Sequence, residues 1–390
     1  MKKYLLIIIG LVLLSACSSQ EDVYENEYIP DVIEDAYEEE YLPEEEFCHE
    51  DIPEEDIPSL AIFTGPHVAA GFSHSLAVDN DGVLWQWGTN PWAQTMYSTP
   101  VPVMENIAPV SAGEMHSLAL TNDGVLYAWG NNSQGQVGDG TRENTASPVK
   151  IMEDIVQAVA GGFNSFALTS GGDLYAWGTN AFGVLTIEGI EYSLYPVRIM
   201  EDIIFASVGN LFAFAITSNN ILYAWGSNTS GQLGDGTTEN RYSPTPIMED
   251  MAMVFGAALH SIAICINGYL YTWGDNSTMS LGDGTTNSNL HPIRIMGNAT
   301  SADGNMQTLA TTAGGQVFAW GYNWQGQVGD GNNGSGTNRP YPVHIMDDVA
   351  CIAAGTRHSL AKTTAGYIYA WVIMNTTSSA VEQIATIQQG

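Results

Sequence analysis

Basic residues are scarce. Ten Lys plus Arg stand against 43 Asp plus Glu, a formal charge of −33 at pH 7. A surface so depleted of cations repels phosphate backbones, so the sequence argues against a nucleic-acid or chromatin partner. Cysteine is equally sparse, with four in 390 residues, which excludes a disulfide-stapled scaffold. Long apolar runs are confined to residues 4–14, and eleven residues are too few to span a bilayer. The strings Gly-x-Ser-x-Gly, Cys-x-x-Cys, His-Glu-x-x-His and Gly-x-x-x-x-Gly-Lys do not occur, so no standard catalytic, metal or phosphate motif suggests an enzyme or a cofactor.

What the chain has in quantity is a repeat. Trp87, Trp129, Trp177, Trp225, Trp273, Trp320 and Trp371 each end an aromatic-rich strand pattern, at intervals of 42, 48, 48, 48, 47 and 51 residues. Seventeen residues before each Trp lies a small-residue landmark, Ala70-Gly71 in the first unit and Ala354-Gly355 in the last. Units of this length, rich in short alternating segments, predict the blades of a propeller. The expected fold is all-β, a seven-bladed β-propeller of four-stranded antiparallel blades.

In the third unit, period-two alternation and turn residues predict an outer strand at residues 148–152, an inner strand at 156–160, then strands at 165–169 and 174–177. Hairpin signals such as Asn122-Asp123-Gly124 separate them. The tryptophans are expected as wedges between adjacent blades, where both sheet faces are covered. The last unit lacks the Pro-led outer strand found in the others. Two segments could close the ring, residues 58–63 beginning at Pro58 and residues 381–387 beginning at Val381.

The recurring Ala-Gly-x-x-His-Ser-Leu-Ala-Leu, Leu-Tyr-Ala-Trp-Gly and Gly-Gln-Val/Leu-Gly-Asp-Gly-Thr strings resemble the repeat of the regulator of chromosome condensation family. The resemblance covers about residues 58–390 and implies a seven-bladed propeller. A WD-type repeat fits less well, because Trp is followed by Gly six times and never by Asp. The family's namesake activates a small GTPase and docks on chromatin through basic segments, which this chain does not share.

The first 57 residues differ in kind. Lys2 and Lys3, the apolar run and Leu14-Ser15-Ala16-Cys17 resemble a bacterial lipoprotein signal. The expected organisation is a signal peptide over residues 1–16, a lipid-anchored acidic tether over 17–57 and the propeller over 58–390. Lipidation of Cys17 would hold the protein on the extracytoplasmic face of the cell membrane, or on the outer membrane of a diderm host. Residues 18–57 carry 18 acidic groups and no Lys or Arg, the composition of a self-repelling disordered linker.

His74, His116, His260 and His358 occupy equivalent positions, where other units have Asn164, Phe212 and Gln307. Residues spread around a ring do not converge on a metal, so these side chains are expected to bond backbone within their own blades. Asp139, Asp235, Asp283 and Asp330 precede Gly and read as turn residues, with weak calcium binding the alternative. Cys265 and Cys351 fall in non-adjacent blades and are expected as free thiols. Each unit also has a loop after its Trp strand, all on one face of the disc. Units one, three and six depart from the loop consensus and carry Trp92, Tyr97, Phe182, Tyr192, Tyr322 and Trp324. Aromatic residues dominate binding hot spots, so the leading expectation is a non-catalytic surface lipoprotein that binds an extracellular or envelope protein through these six residues. The alternatives are polysaccharide or cell-wall binding by the same aromatics, and a hydrolase using loop carboxylates such as Glu188 and Glu191.

Overall fold

The structure, a computed structural model, describes residues 67–90, 95–371 and 381–385. The expected signal peptide and tether, including Cys17, and residues 58–63 lie outside them. Seven four-stranded antiparallel sheets are present, each built from four consecutive strands. They span residues 68–104, 107–152, 155–200, 203–248, 251–296, 299–346 and 349–385, hereafter blades one to seven.

The blade frame differs by one strand from the sequence expectation. The strand containing Pro148, Thr145–Met152, pairs with Leu126–Gly130 of blade two, through Leu126 opposite Met152 and Ala128 opposite Val149. Blade three takes its outer strand from Tyr192–Met200 instead. The reason is the two-residue step between Met152 and Ile155, where Asp154 adopts φ 61°. A left-handed residue there turns the chain into the next sheet, and Asn106, Asp202, Asp250, Asn298 and Asp348 repeat it. The hairpin glycine then joins neighbours: Gly124 O accepts from Ile155 N and Gly172 O from Ile203 N, each at 3.0 Å.

Burial occurs mainly between blades. Leu118, Leu120, Leu126 and Ala128 of blade two pack with Ala167 and Trp177 of blade three, and equivalent clusters recur around the ring. Six of the seven tryptophans are at most 1% exposed, so each contributes on the order of 2–3 kcal/mol of apolar burial.

Blade seven is completed by Val381–Ala385, which pairs with Ile368–Trp371. Of the two candidate closing segments, the C-terminal one therefore supplies the fourth strand. The seam between blades seven and one is sealed by Val68, Ala77 and Trp87 against Ala353, Leu360 and Ile368. Lys362, at a position held by Leu120, Leu168, Ile216 and Ile264 elsewhere, donates its Nζ to Val78 O at 2.8 Å across this seam.

Candidate binding face

Each blade runs inner strand up, second strand down, third strand up and outer strand down. The loops from third to outer strand therefore share one face with the Ala-Gly turns, and the hairpins and blade-to-blade turns share the other. The loop face begins with a buried asparagine. Asn132 Oδ1 accepts from Val137 N at 3.0 Å, while its Nδ2 donates to Asp139 Oδ1 at 3.0 Å and Thr141 O at 3.1 Å. Asn228, Asn276 and Asn323 repeat these bonds. The aspartate before Gly thus accepts from Asn and from the turn's own backbone, as with Thr141 N at 2.9 Å. Among the described residues no group of three or more His, Cys, Asp or Glu could hold a metal ion.

This geometry drives a plug into the next blade. Gln136 O accepts from both Ser165 Oγ at 2.7 Å and Trp177 Nε1 at 2.9 Å. Gln232, Ser280 and Gln327 present the same carbonyl to the next blade's hydroxyl and tryptophan. The residue after each, Val137, Leu233, Leu281 or Val328, is fully buried. Unit three, which departs in sequence, keeps the plug: Asn180 Oδ1 accepts from Leu185 N, and Val184 O accepts from Trp225 Nε1, both at 2.9 Å. Its departure lies in the residues around these bonds, where Ala181, Phe182 and Thr186 stand at the positions of Ser133, Gln134 and Gly138.

The histidines correct the expectation that they bond backbone within their own blade. His74 Nε2 meets Ser117 Oγ at 3.0 Å, and His116 Nε2 meets Ser165 Oγ at 2.8 Å. His260 reaches Thr308 Oγ1 and His358 reaches Ser75 Oγ, both at 2.8 Å. Each partner lies in the following blade. Where the hydroxyl already donates to the plug carbonyl, as Ser165 does, it must accept from the ring, which places the proton on Nε2. Burial lowers the pKa of His74, His260 and His358 to about 4 and that of His116 to about 3. At blade six Gln307 performs the task, donating to Ser359 Oγ at 3.1 Å. Asn164 instead bonds Thr179 O within its own blade, at 2.6 Å.

The six aromatic candidates separate. Trp92 lies outside the described residues. Tyr97 is half-buried against the seam between blades seven and one. Tyr192 is also half-buried, beneath the Arg142 guanidinium 4.8 Å from its ring centre, and Tyr322 is partly covered. Only Phe182 and Trp324 are exposed, at 37% and 50%. Phe182 is held at φ 58° in the short 3₁₀ turn Ala181–Gly183, a left-handed conformation that costs a bulky residue about 1–3 kcal/mol. The structure adds three side chains that sequence reasoning passed over: Tyr195, Tyr242 and Tyr341, each more than 60% exposed. They stand at the loop-face ends of outer strands. The phenols of Tyr195 and Tyr341 lie over Gly140 and Gly284 of the preceding blades' loops. Their signal was available in the outer-strand strings Tyr-Ser-Leu-Tyr-Pro, Arg-Tyr-Ser-Pro and Arg-Pro-Tyr-Pro.

The inner strands enclose a central cavity of about 470 Å³. Asp303 lines it where other blades have small or apolar residues. It is half-buried, accepts from Ala354 N at 2.8 Å and Gly304 N at 2.9 Å, and has its pKa raised by desolvation to about 6. Glu114, also lining it, is raised by burial too. Glu188 and Glu191 sit exposed on the blade-three loop. Neither Cys265 nor Cys351 is joined in a disulfide.

A closed ring of seven Trp-wedged blades with plug loops on one face defines an RCC1-type propeller. The chain belongs to the RCC1-like domain family, whose model matches residues 95–371. Among solved structures, yeast RCC1 (Prp20) bound to Kap60 is 19% identical, with a TM-score of 0.70, covering 93% of this chain and 91% of that one. A second structure of Prp20p, from Saccharomyces cerevisiae, is 21% identical with a TM-score of 0.68, covering 75% and 81%. Human WBSCR16 is 21% identical, with a TM-score of 0.67, covering 75% and 85%. At these identities the likeness is one of fold. No functionally curated protein matches the chain in sequence.

Proposed function

We propose that the protein is a non-catalytic, lipid-anchored surface protein whose loop face binds a protein partner. The observation that carries this reading is the concentration of solvent-exposed aromatic rings on that one face: Phe182, Tyr195, Tyr242, Trp324 and Tyr341. Rigid aromatics give large contact area at little entropic cost, which is why they anchor interfaces. The ring of Phe182, exposed on a left-handed backbone, adds to that surface. Prp20p, a propeller of the same fold, has been studied for its binding to Gsp1p and histones, so protein partners are within the reach of this fold.

Acidic residues stand on both faces, with Glu143, Glu188, Glu191 and Glu239 exposed on the loop face. Glu153, Asp154, Glu201, Asp202, Asp347 and Asp348 are exposed on the hairpin face, the face at which His67 leads into the first inner strand. An anchor at Cys17 on an extracytoplasmic membrane fits the signal-like N-terminus. The acidic surface steers a partner carrying basic residues and disfavours nucleic acid.

The test is capture from a cell-envelope fraction with the immobilised protein. One saturable protein should be retained by the unaltered chain, lost with Trp324→Ala plus Tyr341→Ala, and kept with Val156→Ser on the hairpin face. Equal capture by the unaltered chain and both variants would remove the aromatic face from the claim. Retention of peptidoglycan instead of a protein would replace this reading with polysaccharide binding.

A further inference from the structure

The inner strand of each blade is the last strand of its sheet, so free strand edges surround the central cavity and turn backbone N–H and C=O groups toward it. At four seams the N–H of one inner strand is taken by a side chain of the strand before it. Ala160 N donates to Ser111 Oγ at 2.9 Å, Ala206 N to Gln157 Oε1 at 3.0 Å, Gly256 N to Ser207 Oγ at 3.0 Å and Ala354 N to Asp303 Oδ2 at 2.8 Å. In an antiparallel pair, a residue whose N–H points away from its partner strand points its carbonyl the same way. Ala160, Gly256 and Ala354 therefore face the cavity with their donors occupied, and what they offer to a ligand is an acceptor.

Asp303 adds a charge that the seam does not need. Ser111, Ser207 and Asp303 hold one register, opposite Leu118, Phe214 and Leu309, and all three accept from the following blade. A neutral hydroxyl makes that bond twice, whereas the carboxylate is desolvated, which disfavours its charged form. Among the described residues lining the cavity there is no Lys or Arg; the other ionisable groups there are Glu114, Asp275 and His260, the last kept neutral by burial. Asp303 Oδ1 accepts from Gly304 N and Oδ2 from Ala354 N, and each carboxylate oxygen has capacity for a second donor. The cavity is open to solvent, since Leu259 and Val156, which also line it, are 46% and 49% exposed. Val254, Phe255, Met306 and Ile352 give it an apolar wall.

We propose that the central cavity is a binding site for a primary alkylammonium ion, with Asp303 as its counter-charge. An ammonium group carries its three donors about the axis of the alkyl stem, which suits acceptors arranged around a ring. The stem lies against the apolar wall, and about 470 Å³ is ample for it. Asp303 stands at the loop-face end of its strand, Ala299–Gly304, within reach of a free aliphatic amine or of a lysine side chain from a bound protein. The site goes beyond the protein-binding reading and stands without it.

The probe is n-pentylamine, titrated into the protein at neutral pH while the amide resonances of Gly304 and Ala354, the two donors to the carboxylate, are followed. Saturable shifts of both are expected. The uncharged analogue n-pentanol should bind roughly ten to a hundred times more weakly, the worth of a charge-assisted hydrogen bond. Asp303→Ser copies Ser111 and Ser207, so it should keep the bond from Ala354 N and melt no lower than the unaltered chain while losing amine affinity by that same factor. Asp303→Asn, closest in shape, should lose it equally. Amine affinity unchanged in either variant, n-pentanol bound as tightly as the amine, or no saturable shift in the unaltered chain would each overturn the site. Excess pentylamine in the envelope capture separates the two sources: release of the captured protein makes the cation a partner's lysine, and capture that persists beside amine binding makes it a free amine. Amine binding with no protein captured would remove the protein-binding reading and leave this site standing.

Discussion

Four buried histidines hold neighbouring blades together in their neutral form. Their pKa values in the fold, about 3 to 4, lie below the ordinary 6.5. The unfolded chain therefore binds more protons than the folded one between these values. Their contribution is complete above pH 6.5 and is lost as pH falls toward 4. Asp303 acts oppositely: raised to about 6 from 3.8, it costs stability above pH 6 and recovers it as pH falls. Glu114, also raised by burial, acts with Asp303, and four groups against two still give a net loss. Thermal unfolding should shift to markedly lower temperature between pH 6.5 and 4.5, each histidine accounting for on the order of 3 kcal/mol at most. His116→Gln, copying the natural Gln307, should flatten that dependence; an unchanged slope would refute the assignment. Trp177→Phe keeps the wedge but removes the indole donor to Gln136 O. Because Ser165 still satisfies that carbonyl, the cost should be about 1 kcal/mol in urea unfolding beyond the change in apolar area.

The plug loop is the element that makes the blades interdependent. Leu233 is fully buried between blades four and five, so Leu233→Ala should destabilise by about 2–5 kcal/mol through lost transfer energy and a cavity. Denaturant titration checks this, and a cost below 1 kcal/mol would mean the loop does not seat. The sequence displayed this element as Gly-Gln-Val/Leu-Gly and pointed to its irregular members, yet gave its meaning only in part. Unit three looks divergent but conserves the bonds of Asn180 and Val184, because backbone carbonyls carry the contact and most side chains are free to vary. Unit one also looks divergent, and there the stretch from Gly88 to its strand partner Tyr97 is six residues shorter than the stretch from Gly130 to Thr145. Length was the better signal, and it was visible in the interval of 42 residues between Trp87 and Trp129.

At the scale of the whole molecule the ring must be closed by contacts rather than by a shared sheet, since blade seven takes all four strands from the C-terminal part of the chain. Ending the chain at Asn375 removes Val381–Ala385 and leaves Ile368–Trp371 as an exposed edge. That truncation should lower the melting temperature and speed proteolysis of blade seven; indifference would return closure to residues 58–63. Lys362→Met tests the seam differently: it removes the donor to Val78 O but restores an apolar side chain at a position that is aliphatic in most blades. Its effect should be smaller than that of the truncation. Outside the propeller, Cys17→Ala should abolish fatty-acid labelling and release the protein from membranes. Continued labelling would refute the anchor.

The amino-acid sequence by itself determined the blade count, the strand content and the Trp wedges, because period-two patterning, turn residues and a repeat near 48 residues are local and written seven times. It could not set the blade frame, since a strand's partner depends on the handedness of a two-residue step that reads the same in either sheet. Tertiary structure alone decided which strand closed blade seven, turned the histidines from intrablade to interblade bonds, and separated exposed rings from covered ones. Tyr97 and Tyr192 look like Trp324 in sequence. They differ because Tyr97 packs at the ring's closing seam and Tyr192 has an arginine from the preceding blade above it, contacts that exist only once the ring has formed.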